Sequence, residues 1–318
     1  MISKYHSSAE YFYLDRSLTD MIKMFSCIMV AVHHYSCYAI STGLNDNLFL
    51  QAFSTQGGYL GVAIFFFMSG YGLMMSERNH HLDCISFLKK RLSKVLIPSI
   101  VITIVWLPVF CMMRIGGENS LNVRSLYYEL WHWGDDVMWF VKTLCLQYVF
   151  FLVYSYFRKI TPQYKSMMLI IITFASFFIS YSVELRHAIS LPLFYIGVWI
   201  ADNPSLCRRL CNGVLVPGGL MLLMLLICYV LRHTAMVLHV VFNYIVVLIA
   251  IVVLSSYRIT IAKLPSVVGQ SSFDVYLVHN KVLLTLRYFL GIVPFSIFAI
   301  ICFVTTFIFY AARKRMKI

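Results

Sequence analysis

The chain has 318 residues, 60% of them apolar and only 12% charged, which is more apolar surface than a soluble domain of this length can bury, so its solvent is lipid. The excess of 26 Lys and Arg over 13 Asp and Glu falls in short clusters between apolar runs, the pattern of membrane topology, which argues against nucleic acid as a partner. A backbone in hydrocarbon must satisfy its own N–H and C=O groups, and the runs are long rather than alternating, so the expected fold is an all-α, polytopic membrane helix bundle and not a barrel.

In chain order, apolar stretches run at about 17–40, 57–76, 95–113, 137–157, 166–182, 188–201, 213–231, 235–257, 272–290 and 291–311, each read as a candidate transmembrane helix. They leave no stretch for a soluble domain, so residues 1–318 are read as a single transmembrane domain. The first run is too long and too charged for a cleavable signal peptide and is expected to stay as an anchor. Two stretches are weak by hydropathy: 188–201 is short, and 272–290 carries Asp274, His279, Lys281 and Arg287. Charge parity tests them. With ten spans and both termini in the cytoplasm, the inner segments hold nineteen of the Lys and Arg, the outer segments hold Arg114, Arg124, Arg186 and Arg232, and Lys142, Lys281 and Arg287 lie within spans. Deleting one weak span would send the basic Arg313 to Lys317 tail outside, so parity favours about ten spans, or eight, over nine. The longest outer segment, about 114–136, carries Glu118, Glu129, Asp135, Asp136, Trp131 and Trp133 and suits a sugar-facing mouth.

Nine cysteines, most inside apolar runs, read as small buried hydrophobes. The clusters His80-His81-x-Asp83-Cys84 and Cys207-x3-Cys211 lack a paired ligand set at zinc-finger spacing, so no metal is expected.

Ionisable groups within a span are costly, about 2.5 to 3.5 kcal/mol each at a helix centre, and each asks for a reason. Asp20, Lys23 and His34 stand in the first span, and the eleven residues from Lys23 to His34 return to the same face within about 20°, roughly 16 Å farther along the helix. One reading has Lys23 reaching for the interface with Asp20 as its partner and His34 as an interior histidine. The other makes a polar stripe from the inner surface to mid-membrane. His33 is adjacent but points about 100° away, so the spacing selects His34. After the second span, Lys89, Lys90, Arg91 and Lys94 precede Pro98; this is either ordinary inner-face anchoring or an anion site for the phosphates of a cytoplasmic ligand.

These residues resemble the integral-membrane acyltransferases of family 3, and the resemblance covers nearly the whole chain. Asp20-x-x-Lys23-x10-His34 is similar to that family's Asp-x-x-Arg-x10-His signature, with lysine in the arginine position. Gly61-Val-Ala-Ile-Phe-Phe-Phe-Met-Ser-Gly-Tyr71 resembles its Gly-Val-x-Phe-Phe-x-x-Ser-Gly span. The Lys89-Lys-Arg-x-x-Lys94 run with Pro98, the Trp139-Phe140-Val-Lys142 helix start, and Gly269-Gln-Ser-Ser-Phe-Asp-Val-Tyr-Leu-Val-His279 follow in the family's order.

The resemblance implies an O-acyltransferase of the bacterial cytoplasmic (inner) membrane, multi-pass, that moves an acyl group, usually acetyl, from acyl-CoA to a hydroxyl of a cell-surface polysaccharide or lipid-linked sugar. Acetyl-CoA is then a co-substrate, with no bound cofactor, and glycan-assembly proteins are candidate partners. His34 is expected as general base, with a transient acyl carrier as the alternative, and Lys23 and Asp20 as groups that position the donor or the base. Lysine at position 23 offers a point charge without the planar fork of arginine, so a bidentate contact is not expected there. Lys89, Lys90, Arg91 and Lys94 are expected at the acyl-CoA phosphates. Ser69, Trp139, Lys142 and His279 are candidate lining residues; for Ser69 the competing reading is helix packing at a Ser-Gly pair, and Lys142 calls for a partner among Asp135, Asp136 and Asp274. Two rivals from other classes are a transporter or flippase of a lipid-linked sugar, which would also use helices broken at Pro98, Pro108 and Pro192, and a catalytically silent partner in a glycan-assembly complex.

Overall fold

The computed structural model describes residues 14, 16–44, 47–79, 83–115, 138–183, 185–205, 207, 236–256 and 266–316. The expected span at 213–231, residues 116–136 of the expected outer segment, His80, His81 and Cys211 lie outside the described residues. Within them all regular structure is helical: α1 (Arg16–Ser41), α2 (Leu48–Ala52), a π-turn (Phe53–Gly57), α3 (Gly58–Asn79), α4 (Cys84–Ile115), α5 (Trp139–Ile160), α6 (Lys165–Val183), α7 (Leu185–Ala188), α8 (Leu191–Asp202), α9 (Met236–Ser256), α10 (Ser266–Leu290) and α11 (Phe295–Arg315).

Among the described residues five helices are long and apolar enough to cross a membrane: Leu48–Asn79, Ile85–Met113, Trp139–Ile160, Pro162–Val183 and Phe295–Arg315. The protein is therefore a helical membrane protein. α1 and α10 are long as well, 26 and 25 residues, and carry the polar groups the sequence singled out. The weak stretch at 188–201 forms a helix of 12 residues, α8, most of whose side chains are buried.

Local chemistry sets the helix ends. No Gly or Pro interrupts α1, and it stops where Gly43 takes φ +66° and the amides of Gly43 and Leu44 bond back to Ile40 and Ala39 at 3.1 and 2.9 Å, a Schellman closure. Asn47 caps α2 through Leu50 N at 2.9 Å, and Asp83 caps α4 through Ser86 N at 2.9 Å, which holds the Asp83 carboxyl below its ordinary range. Pro98 and Pro108 lie inside α4. Around Pro98 the hydroxyls of Ser99 and Thr103 bond the carbonyls of Val95 and Ser99 at 2.7 and 2.8 Å, the kind of side-chain contact that lets a proline persist within a spanning helix.

The chain divides into two compact units. The first comprises Met1–Ser26, Tyr59–His81 and Phe157–Pro265. Its α3 and α8 meet backbone to backbone: a Cβ on Gly70 would lie 1.9 Å from the Phe194 carbonyl oxygen, and one on Gly197 would lie 2.4 Å from that of Phe67. Close approach of this kind requires small residues and is how helices adhere where no hydrophobic effect drives them together. At one end of these helices the charges are matched: Glu77 pairs with Lys159 at 2.7 Å, and Asp202 takes Arg158 at 2.6 Å and Lys165 at 3.0 Å. Arg78 donates to the Ala201 carbonyl at 2.6 Å.

The second unit comprises Cys27–Gly58, Leu82–Tyr156 and Ser266–Ile318. α10 and α11 form a hairpin through the turn at Gly291, φ +70°. Arg313 grips the fully buried Asp274 with Nε to Oδ1 at 3.0 Å and Nη2 to Oδ2 at 2.8 Å. Tyr310 donates to Gln270 Oε1 at 2.9 Å one turn away. This bidentate pair neutralises the buried carboxylate of a helix rich in ionisable residues, of which Asp274, His279 and Lys281 are buried in protein.

Gly70→Ala places a methyl group in the Phe194 backbone and is expected to cost about 2 kcal/mol, in the range of overpacked cores. A thermal melt in detergent should show a midpoint several degrees lower than that of the wild type, whereas Gly72→Ala, where an added Cβ meets nothing within 4 Å, should leave it unchanged.

Candidate functional site

The second unit brings three imidazoles together. The ring of His34 on α1 lies 5.2 Å from that of His279 on α10, tilted by 31°, and 5.0 Å from that of its neighbour His33. His279 is fully buried, while His33 and His34 each keep part of their surface open. The expected base and the expected lining histidine, 245 positions apart in the sequence, thus pack as a pair.

Two of the three tautomers follow from their partners. His279 Nδ1 stands 2.7 Å from the Tyr276 carbonyl and 3.2 Å from that of Val275. A carbonyl only accepts, so Nδ1 carries the hydrogen, and whenever the ring is neutral the lone pair is on Nε2. His33 Nδ1 likewise donates to the Phe53 carbonyl at 2.9 Å. That carbonyl belongs to the π-turn Phe53–Gly57, a local widening of the helix that recurs at functional sites.

His33 is the residue that spacing set aside. It is seated against Gly58: a Cβ there would stand 2.5 Å from Cδ2 and 2.7 Å from Nε2 of the imidazole. Glycine at this position leaves the room the ring occupies. The sequence signal was present as Gly57-Gly58, but nothing within α1 shows that a ring turned about 100° from His34 has a notch waiting on the next helix.

Aromatic residues of the His279 motif itself and of the Trp139-Phe140 motif line up behind His279. Tyr276 lies 5.7 Å from His279, Phe140 packs edge-on to Tyr276 at 5.2 Å, and Trp139 packs edge-on to Phe140 at 6.2 Å. Trp139 and Lys142 are half-buried at the start of α5. Of the partners expected for Lys142, Asp274 is held on both oxygens by Arg313, and Asp135 and Asp136 lie outside the described residues. Lys281 is 2% exposed and shares α10 with His279.

The basic cluster also belongs to this unit. Lys89, Lys90 and Lys94 are exposed on the first turns of α4. Arg91 lies over the Phe87 ring at 5.8 Å, and Phe87 is buried against Tyr148 and Phe151 of α5. An aromatic anchor therefore fixes the root of a cationic helix start, a surface suited to phosphate.

Asp20, Lys23 and Ser69 fall in the first unit. Asp20 stands 4.0 Å from Arg16, an i,i+4 pair in which the arginine is exposed. Lys23 is half-buried on the same helix. Ser69 is half-buried beside Gly70, whose contact with the Phe194 carbonyl favours the helix-packing reading of that Ser-Gly pair. Among the described residues no group of three or more His, Cys, Asp or Glu side chains is arranged to hold a metal ion.

A family model described as an acyltransferase domain matches residues 19–314. No curated protein and no solved structure matches the chain.

Gly58→Ala should displace the His33 ring while leaving α3 helical. Diethyl pyrocarbonate labelling read by peptide mass spectrometry is expected to show faster modification of His33 in the variant, with His279 unchanged; equal rates at His33 would show that the notch does not hold the ring.

Proposed function

The chain belongs to the acyltransferase family 3, and from that premise we propose that it is a membrane O-acetyltransferase that moves an acetyl group from cytoplasmic acetyl-CoA to a hydroxyl of a cell-surface polysaccharide or lipid-linked sugar. We place it in the cytoplasmic membrane of a bacterium, with about ten spans and both termini inside. The observation that carries the reading is the His34–His279 pair at 5.2 Å, formed by residues of the first and last motifs that resemble the family.

His34 acts as the general base. Its ring nitrogen takes the proton of the acceptor hydroxyl as that oxygen attacks the thioester carbonyl; the tetrahedral intermediate collapses, the C–S bond breaks, and the imidazolium returns the proton to the departing CoA thiolate. Atoms and charge balance without a covalent enzyme intermediate. His279, with its Nδ1 hydrogen tied to the Tyr276 carbonyl, has its orientation fixed from behind and offers a lone pair at Nε2. An adjacent imidazole of that tautomer suits stabilising the imidazolium that forms on His34, as the third member of a base-and-orienter arrangement does elsewhere.

Lys89, Lys90, Arg91 and Lys94 bind the donor's phosphates in this reading. Three of them are exposed at a helix start, where a strongly charged ligand meets them with little desolvation cost. Lys23, as a point charge, and Asp20 position the donor or the base.

Transfer or hydrolysis of labelled acetyl-CoA by the purified protein in detergent tests the proposal. The wild type is expected to turn over, and His34→Ala to lose at least about 10²-fold in kcat, the lower bound for removing a general base. His279→Ala is expected to lose less than His34→Ala. No turnover by the wild type across acyl donors and sugar acceptors would favour the transporter class instead, and an active His34→Ala beside an inactive His33→Ala would exchange the roles of the two neighbours.

For the donor site, Lys89→Ala combined with Lys90→Ala should raise KM for acetyl-CoA while kcat stays within about 2-fold, since such contacts bind ground state and transition state alike. An unchanged KM would place the CoA phosphates elsewhere.

A further inference from the structure

Two tyrosines beside the catalytic histidine tie α1 to the turn that closes the α10–α11 hairpin. Tyr38 donates to the Gly291 carbonyl at 2.8 Å and accepts from the Val293 amide at 3.0 Å. Tyr35 donates to the Val293 carbonyl at 3.0 Å. Both rings are buried, at 3% and 6% exposure, and Val293 is fully buried. Tyr35 is stacked on Phe298 at 5.3 Å and meets Phe295 edge-on at 5.0 Å; the Arg287 guanidinium lies 5.9 Å from the Tyr38 ring.

We propose that Tyr35 and Tyr38 are positioning residues of the transfer reaction: their three hydrogen bonds to the Gly291–Val293 turn fix the rotation and depth of α1 against α10, and thereby the spacing of His34 and His279. This inference rests on the acyltransferase reading of that pair.

The register supports it. Tyr38 is four residues beyond His34, one turn on along the same face, and Tyr35 is its immediate neighbour. A helix held at one point can roll; held by two side chains three residues apart, it can neither roll nor slide without breaking a bond. The partners are backbone groups just past the end of α10, the helix that carries His279. Gly291 has φ +70°, so the turn keeps its carbonyl aimed at Tyr38 in a conformation glycine adopts without strain. Nothing lies within 4 Å of the position a Cβ would take there, so that backbone angle alone accounts for the glycine.

A purely stabilising contact would predict something else. Losing it would lower the melting midpoint in proportion and leave the chemistry of the folded fraction intact. A latch that sets the imidazole spacing acts on kcat, because a misplacement of about 1 Å in a reacting constellation costs up to about 10²-fold.

The experiment compares Tyr38→Phe, which deletes two bonds and keeps the ring, with Gly291→Ala, which strains the turn without touching Tyr38, and with the combination. Each single variant is expected to lower kcat for acetyl transfer about 10-fold or more with KM for acetyl-CoA within about 2-fold, and the double variant to be no slower than the slower single, because both act through one latch. In parallel, cysteines replacing His34 and His279 are bridged by a short bifunctional thiol reagent, with the bridged peptides counted by mass spectrometry; adding Tyr38→Phe should lower the yield several-fold. A Tyr38→Phe protein that keeps full kcat and only melts earlier, losses that multiply in the double variant, or a bridging yield indifferent to Tyr38 each overturns the proposal. Should the wild type transfer no acyl group at all, the acyltransferase reading fails, and the bridging yield still decides the latch.

Discussion

The structure depends on one constraint: a charge in an apolar helix bundle must be matched by another charge or kept off lipid. Asp274, fully buried, is met on both oxygens by Arg313; Asp202 is met by Arg158 and Lys165; Glu77, 1% exposed in its side chain, is met by Lys159. These pairs fall at helix ends or where helices cross, so each one also fixes which helices neighbour which. Imidazole is the ionisable side chain that can be buried uncharged at neutral pH and still change protonation state when chemistry requires it. Histidines can therefore gather among packed helices, with backbone carbonyls as partners, where carboxylates and guanidiniums require counter-ions.

The fold class was legible from composition alone, because lipid imposes helices on any chain this apolar that lacks alternation. Hydropathy is least informative at α10. Asp274, His279, Lys281 and Arg287 made 272–290 one of two weak spans, and it forms one unbroken helix of 25 residues. Hydropathy weighs each residue as if it faced lipid, while three of those four are buried in protein at 0 to 2% exposure. The parity of the basic clusters was a separate argument for a span there, since positive charges in loops respond to the whole topology and not to one helix.

The site was legible to a different depth. Spacing along α1 selected His34, and the motif around Gly269 to His279 supplied its neighbour, but the sequence held no measure of the distance between them. His33 shows the limit of reading a single helix. A turn of about 100° per residue places it on another face, and this is correct; whether that face is empty depends on α3, where Gly58 leaves the space and the Phe53 carbonyl supplies the hydrogen-bond partner. Tyr35 and Tyr38 escaped notice for the same reason. In a chain with 21 tyrosines, two more beside a histidine carry no signal until the turn at Gly291 is seen beneath them.

Both kinds of contact follow from how hard it is to hold helices together in lipid. With no hydrophobic gain from association, precision must come from van der Waals fit and from hydrogen bonds. Where the chain needs close adhesion it uses glycine against backbone, as Gly70 does on Phe194 and Gly197 on Phe67. Where it needs a fixed distance between reacting groups, glycine contacts are poorly suited, since a smooth surface lets helices slide. Phenolic hydroxyls on backbone groups are directional and cannot slide, and here they belong to the neighbour of His34 and to the residue one turn on. In the proposed transfer a polar donor must reach His34 without the two imidazoles drifting apart, and the proposed latch at the hairpin turn is the directional contact that would hold that spacing.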